Sequence, residues 1–200
     1  MTLIQLQEII ENHANPVILL EGRRTILKED RQMLTQLAYS LAHAFPNATF
    51  RTGNADGSDT LFAKGVAQVD PSRLQYVVPY AGMKKKNRID GAEVLSLENI
   101  TDQERDEVDK ITSKRDKSAA SMVNYVKEKP RGYVAAKAGY LLRDTLKATG
   151  AESAGFHPAT AAIFYIDKSD KYAGGTGHTI KICEELKIPV ATQIEWGEWF

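Results

Sequence analysis

The chain predicts a doubly wound α/β protein, a mainly parallel sheet of about five strands flanked by helices, with a helical insertion. Three observations predict it. Short apolar runs such as Val17-Ile18-Leu19-Leu20 and Ala161 to Ile166 suit strands buried on both faces. Segments with apolar residues at helical spacing lie between such runs, so strands and helices alternate. Two glycine-rich turns follow strand-like runs and lead into helix-like segments. They are Thr52-Gly53-Asn54-Ala55-Asp56-Gly57-Ser58-Asp59 and Gly174-Gly175-Thr176-Gly177-His178-Thr179.

Leu3, Leu6, Ile9 and Ile10 space a short amphipathic helix at the start, and the strand Val17 to Leu20 lies between Pro16 and Gly22. Asp30 is placed to cap a helix whose stripe is Leu34, Leu37, Ala38, Leu41, Ala42 and Phe45, ended by Pro46-Asn47. Ala48 to Arg51 is a second strand. Ser58 or Asp59 then caps a helix carrying Phe62, Val66 and Val69, and Leu74 to Val78 is a third strand closed by Pro79. Residues 81–150 break the alternation. Lys84-Lys85-Lys86-Asn87-Arg88 is a basic loop and Val94 to Leu97 a short extended stretch. Asp102 to Lys117 is mostly charged, a solvated helix that can continue to Lys127 until Pro130 interrupts it. A further helix spans about 132–148. The last third returns to strand, glycine turn, helix and the strand Ile188-Pro189-Val190. One domain over residues 1–200 is expected, with about 81–130 as the insertion.

The 200 residues suffice to bury a core, and 26 basic residues balance 26 acidic ones. With no net field, nucleic acid is not expected as a partner, nor is a membrane. The lone Cys183 rules out an internal disulfide framework, and no basic-then-apolar leader opens the chain, so a cytoplasmic protein is expected.

In an open parallel sheet, ligands bind outside the carboxyl ends of the strands. Three expected loops lie there: Gly22-Arg23-Arg24, the turn from Gly53, and the turn from Gly174. Turn glycines allow close backbone approach, and a helix start offers unpaired N–H groups and a positive dipole end, so the loops suit a phosphate-bearing ligand. Arg23 and Arg24 can clamp phosphate bidentately. A Walker A loop would need a lysine after Gly177, and there is none. The histidines, His13, His43, His157 and His178, are scattered without metal-ligand spacing, so no metal and no cofactor is expected. Cys183, on the apolar side of its helix, reads as a buried thiol.

The run from Arg51 to Gly65 resembles the S/T-G-x-A-x-G-x-D segment of the SLOG superfamily, the Rossmann-like proteins related to DNA-processing protein A and the Lonely Guy cytokinin-activating enzymes. Leu19-Leu20-Glu21-Gly22-Arg23-Arg24 is similar to the family's first strand and Gly-x-Arg turn. Leu141-Leu142-Arg143-Asp144 resembles its Arg-Asn pair, and the run from Gly174 its second glycine motif. The likeness is nearest the YspA-like branch. It implies a nucleotide-derived ligand between the two glycine motifs. Gly53, Asn54, Ala55, Gly57 and Asp59 would shape one side; Gly174, Gly175, Thr176, Gly177 and Thr179 would hold phosphate; Gly22, Arg24 and Arg143 would complete the site. It also implies a homodimer. The expected function is binding or sensing of such a ligand. One alternative is a nucleoside 5′-monophosphate N-glycosidase using Glu184, Asp59 or Glu21, although Lys181 stands where the Lonely Guy motif has its glutamate. A second is single-stranded DNA binding through Lys84 to Lys86, Arg88 and Tyr80.

Overall fold

The computed structural model describes residues 1–115 and 117–199. In chain order its helices and strands are α1 (Leu3–Glu11), β1 (Val17–Gly22), α2 (Asp30–Ala44), β2 (Thr49–Thr52), α3 (Ser58–Ala67), β3 (Leu74–Val78), β4 (Glu93–Ser96), α4 (Asp102–Lys114), α5 (Lys117–Glu128), α6 (Tyr133–Thr149), β5 (Ala161–Tyr165), α7 (Gly174–Glu185), β6 (Val190–Thr192) and α8 (Gln193–Trp196). Among the described residues the strands form one sheet in the order β4-β3-β2-β1-β5-β6, every pair parallel. The sheet thus has six strands where about five were expected. The additional one is the edge strand β4, whose first two residues are exposed, so it lacks the apolar run of a strand covered on both faces.

Strand alternation sorts the core into two layers. Ile18 and Leu20 of β1 pack with Leu34, Leu41 and Phe62 of α2 and α3 and with Trp196 of α8. Leu19 faces the other way and packs with Ala148 of α6, Ile180 of α7 and Ile111 of α4. β1 leads through α2 to β2 and on outward. After β4 the chain crosses back by way of α4, α5 and α6 to β5, on the opposite side of β1. The winding therefore reverses between β1 and β5, the position where such sheets open a crevice.

The charged stretch from Asp102 is two helices, α4 and α5, and not wholly solvated: Val108, Asp109, Ile111, Thr112, Ala119 and Val123 are buried. Thr101 and Glu104 form a reciprocal capping box at the start of α4. The three expected acidic and hydroxyl caps are replaced by tertiary contacts. Asp30 is the first residue of α2 and accepts a 2.6 Å hydrogen bond from the Tyr165 hydroxyl. The N-cap of α3 is Gly57, at φ 88°; Ser58 donates to the Arg23 carbonyl at 2.8 Å, and Asp59 reaches back to the preceding loop.

Gly65 lets α3 lie directly on α2, since a Cβ there would sit 2.2 Å from the Thr35 carbonyl oxygen. Gly65→Ala is expected to destabilise the protein by about 1–3 kcal/mol by overpacking, read as a lower urea midpoint at unchanged slope.

Candidate functional site: a cleft at the sheet reversal

A cleft of about 650 Å³ opens at the carboxyl ends of β1 and β5, within the size range of small-molecule sites. The β1 loop (Gly22, Arg23, Arg24), the start of α7 (Gly174, Gly175, Thr176), one face of α6 (Lys137, Tyr140, Arg143, Asp144) and the α4–α5 region (Arg115, Met122) line it, with Ala55 and Asp59 at one wall.

Its floor is a buried charged network. The Lys147 ammonium of α6 contacts Glu21 of β1 and lies 2.8 Å from Asp144 Oδ1, one turn earlier on α6. Thr179 of α7 donates to Glu21 Oε1 at 3.0 Å. Arg143 donates to the Gly53 carbonyl at 2.8 Å, and its Nε lies 3.1 Å from Asp144 Oδ1. Asp59 Oδ2 accepts the Gly53 and Ala55 N–H groups at 2.9 and 3.2 Å. His178 Nε2 faces the Leu141 carbonyl at 3.1 Å, and its Nδ1 lies 2.8 Å from Arg115 Nη1.

Burial pushes the Glu21 carboxyl up to about 7 although Lys147 opposes it. Burial likewise raises Asp59 against Lys147 and Arg143. At Asp144 burial is outweighed by Arg143 and Lys147, and its carboxyl lies below the usual range. Burial lowers His178 to about 4 against the pull of Asp144.

The second glycine motif is not a turn before a helix. Gly174 to Gly177 are the first turn of α7, and the connection from β5 is the segment 166–173. Gly174 and Gly175 are exposed at the cleft, whereas Gly177 packs on the Tyr172 backbone, where a Cβ would lie 1.9 Å from its carbonyl oxygen. Thr179 turns inward to Glu21. Gly53 permits the Arg143 contact, since a Cβ there would lie 1.5 Å from Nη1. Gly57 lies against the Arg24 backbone, and Asn54 reaches the Met83 and Lys84 carbonyls at 3.5 Å. Arg24 is exposed at the rim, and Arg23 pairs with Asp167 at 3.1 Å. Of the carboxylates named from sequence, Glu21 and Asp59 line the cleft. Glu184 is the penultimate residue of α7, held by Lys171 at 2.9 Å and the Tyr172 hydroxyl, and is not among the lining residues.

Sequence reasoning missed Asp144, Lys147, Arg115 and Lys137. For Asp144 and Lys147 a signal was present. With Arg143 they put three charges among Leu141, Leu142, Leu146 and Ala148, which leaves that helix no polar face on which to solvate them.

No family model matches the sequence, and no curated protein matches it. Among solved structures the fold is similar to that of DNA processing protein A from Helicobacter pylori, at a TM-score of 0.53 and 14% identity, over 92% of this chain and 67% of that one. The likeness supports a Rossmann-like α/β fold of the kind found in DNA processing protein A. That structure describes a single-stranded DNA binding mode. It overturns the expectation, drawn from zero net charge, that nucleic acid is not a partner. Net charge sums the whole surface and does not report a local arrangement; here Arg23, Arg24, Arg115, Lys137 and Lys171 line one cleft together with Glu21, Asp59, Asp144, Asp167 and Asp170. Among the described residues no helix is long and apolar enough to cross a membrane.

Two opposite pH slopes are expected. Glu21, raised in the folded state, favours folding below pH 4.5 and loses that contribution as pH rises to about 7. Wild type should therefore lose stability relative to Glu21→Gln across that window. His178, lowered to about 4, penalises folding as pH falls from 6.5. Wild type should lose stability relative to His178→Gln on acidification. Urea titrations at several pH values check both.

Proposed function

We propose that the cleft binds a nucleotide or nucleotide-derived phosphate ligand, its phosphate on the first turn of α7 and its sugar and base toward α6 and the β2–α3 loop. One observation carries the reading. At the sheet reversal, the exposed N-terminal glycines of a twelve-residue helix face the same 650 Å³ cleft as Arg24, Arg115 and Lys137. Orphan N–H groups, the positive dipole end and nearby cations are the partners a phosphate requires. The motifs quoted above further support assignment to the SLOG superfamily and its YspA-like branch. An N-glycosidase reading would rest on Glu21 or Asp59, because Glu184 lies outside the cleft.

A second reading is single-stranded DNA binding, favoured by the neighbouring fold. Tyr133 and Tyr172, 84% and 42% exposed, stand at the start of α6 and just before α7, and exposed Tyr80 follows β3. Aromatic faces beside cations suit stacked bases along a backbone.

Calorimetry with nucleoside phosphates, alongside fluorescence anisotropy with a labelled oligothymidylate, tests both readings. Arg24→Ala and Lys137→Ala are each expected to weaken the anionic ligand about tenfold, ~1.4 kcal/mol, at unchanged melting temperature. Gly175→Asp sets a carboxylate beside Asp144, where a Cβ lies 3.3 Å from Oδ2, and should abolish binding. Oligonucleotide binding would fall steeply with salt. Failure of both ligand classes to bind at roughly millimolar concentration (a binding free energy weaker than about −4 kcal/mol) would sink the assignment of this cleft.

A further inference from the structure

Asp59 is 1% exposed, on the first turn of α3, and forms part of the cleft wall. Its two carboxylate oxygens have different fates. Oδ2 is taken by the Gly53 and Ala55 N–H groups. Oδ1 is buried, and no donor among the described residues reaches it. The other floor carboxylates have charged partners: Glu21 meets Thr179 and Lys147, and Asp144 Oδ1, which also accepts no hydrogen bond, lies 2.8 Å from Lys147 Nζ and 3.1 Å from Arg143 Nε, whereas Asp59 Oδ1 has no such ion pair. A buried carboxylate oxygen without a donor is costly, so a site that keeps one is completed by something that enters the cleft.

The chemistry of that partner is constrained. It must be a donor. It must be small, because the oxygen has almost no accessible surface. A divalent cation would need several oxygens in one place, and among the described residues no group of three His, Cys, Asp or Glu side chains is placed to hold one. A hydroxyl meets these conditions. The phosphate position is set independently by α7, and the two ends of the cleft are joined through contiguous contacts: Asp59 to Gly53, Gly53 to Arg143, Arg143 to Asp144, and Asp144 to the Gly175 position.

We propose that Asp59 Oδ1 accepts a hydroxyl of the ligand's sugar, so that the cleft selects ribosyl phosphates over their deoxy counterparts. This rests on the phosphate assignment above and deepens it by naming the sugar. Asp59 becomes a specificity-determining residue, and its backbone contacts are what hold Oδ1 in place for the task. Leaving a built acceptor unpartnered is the cost borne by a ligand that lacks the hydroxyl.

The test uses the full chain and ligands altered at single hydroxyls. Calorimetry compares adenosine 5′-monophosphate with its 2′-deoxy and 3′-deoxy forms, and ribose 5-phosphate with 2-deoxyribose 5-phosphate. At least one deoxy form is expected to bind tenfold or more weakly than its parent. Asp59→Asn keeps an oxygen for the Gly53 and Ala55 N–H groups but places an amide NH2 where Oδ1 stood; it should bind parent and deoxy forms alike. Its thermal melt checks that it folds, and the wild-type comparison stands without it. If every deoxy form binds within tenfold of its parent, the sugar assignment is overturned while the phosphate site stands. If no phosphate ester binds, the phosphate site fails as well.

Discussion

Lys147 on α6 has no exposed surface, and its ammonium lies between Glu21 of β1 and Asp144 of its own helix. Stripping such groups of water costs several kcal/mol per ion, and only close mutual contact and further hydrogen bonds offset it. The helix is therefore tied to one position over the sheet. Once Lys147 reaches Glu21, Arg143 stands over Gly53 and Asp144 stands beside the start of α7. The three glycine-bearing segments of the cleft meet because one helix carries three charges that have nowhere else to go.

The strand alternation that builds the core also supplies this floor. Glu21 of β1, Arg51 of β2 and Gln75 of β3 all point toward the α6 layer. Arg51, fully buried, donates to Gln75, to the Lys147 carbonyl at 3.0 Å and to the His157 carbonyl at 2.8 Å. Burial lowers its guanidinium to about 9. A row of polar groups thus runs beneath α6 inside an otherwise apolar layer. Above the buried carboxylates of the floor, cations such as Arg24 and Lys137 reach the cleft from the β1 loop and α6. That division suits a ligand with a polar sugar at depth and a phosphate nearer the mouth.

Much of the frame was legible because it rests on local patterns. The apolar runs marked five of the six strands, and helical spacing marked α2, α3 and α6. The Gly53 and Gly174 segments stood out because close approach demands glycine. The edge strand β4 was weak because half of it faces water. Asp30, Ser58 and Asp59 carried the composition of caps, yet Tyr165, the Arg23 carbonyl and the Gly53 loop claimed them. The first two partners lie 135 and 35 residues away in sequence, beyond the reach of any local rule, whereas the Gly53 contact is six residues away. Glu184 sat in the right helix by count, but helical rotation carries it to the outer face, where Lys171 and Tyr172 hold it.

The alternation of buried strands and helices, and with it a parallel sheet whose crevice lies at the strands' carboxyl ends, is written in local patterns, because burial periodicity and glycine conformational freedom are properties of short segments. Packing between distant segments settles which charges share the floor, that Asp59 Oδ1 is left without a donor, and that cations and acids from separate loops line one cleft. Those outcomes depend on which residues from distant segments displace the same water, and no stretch of chain encodes that alone.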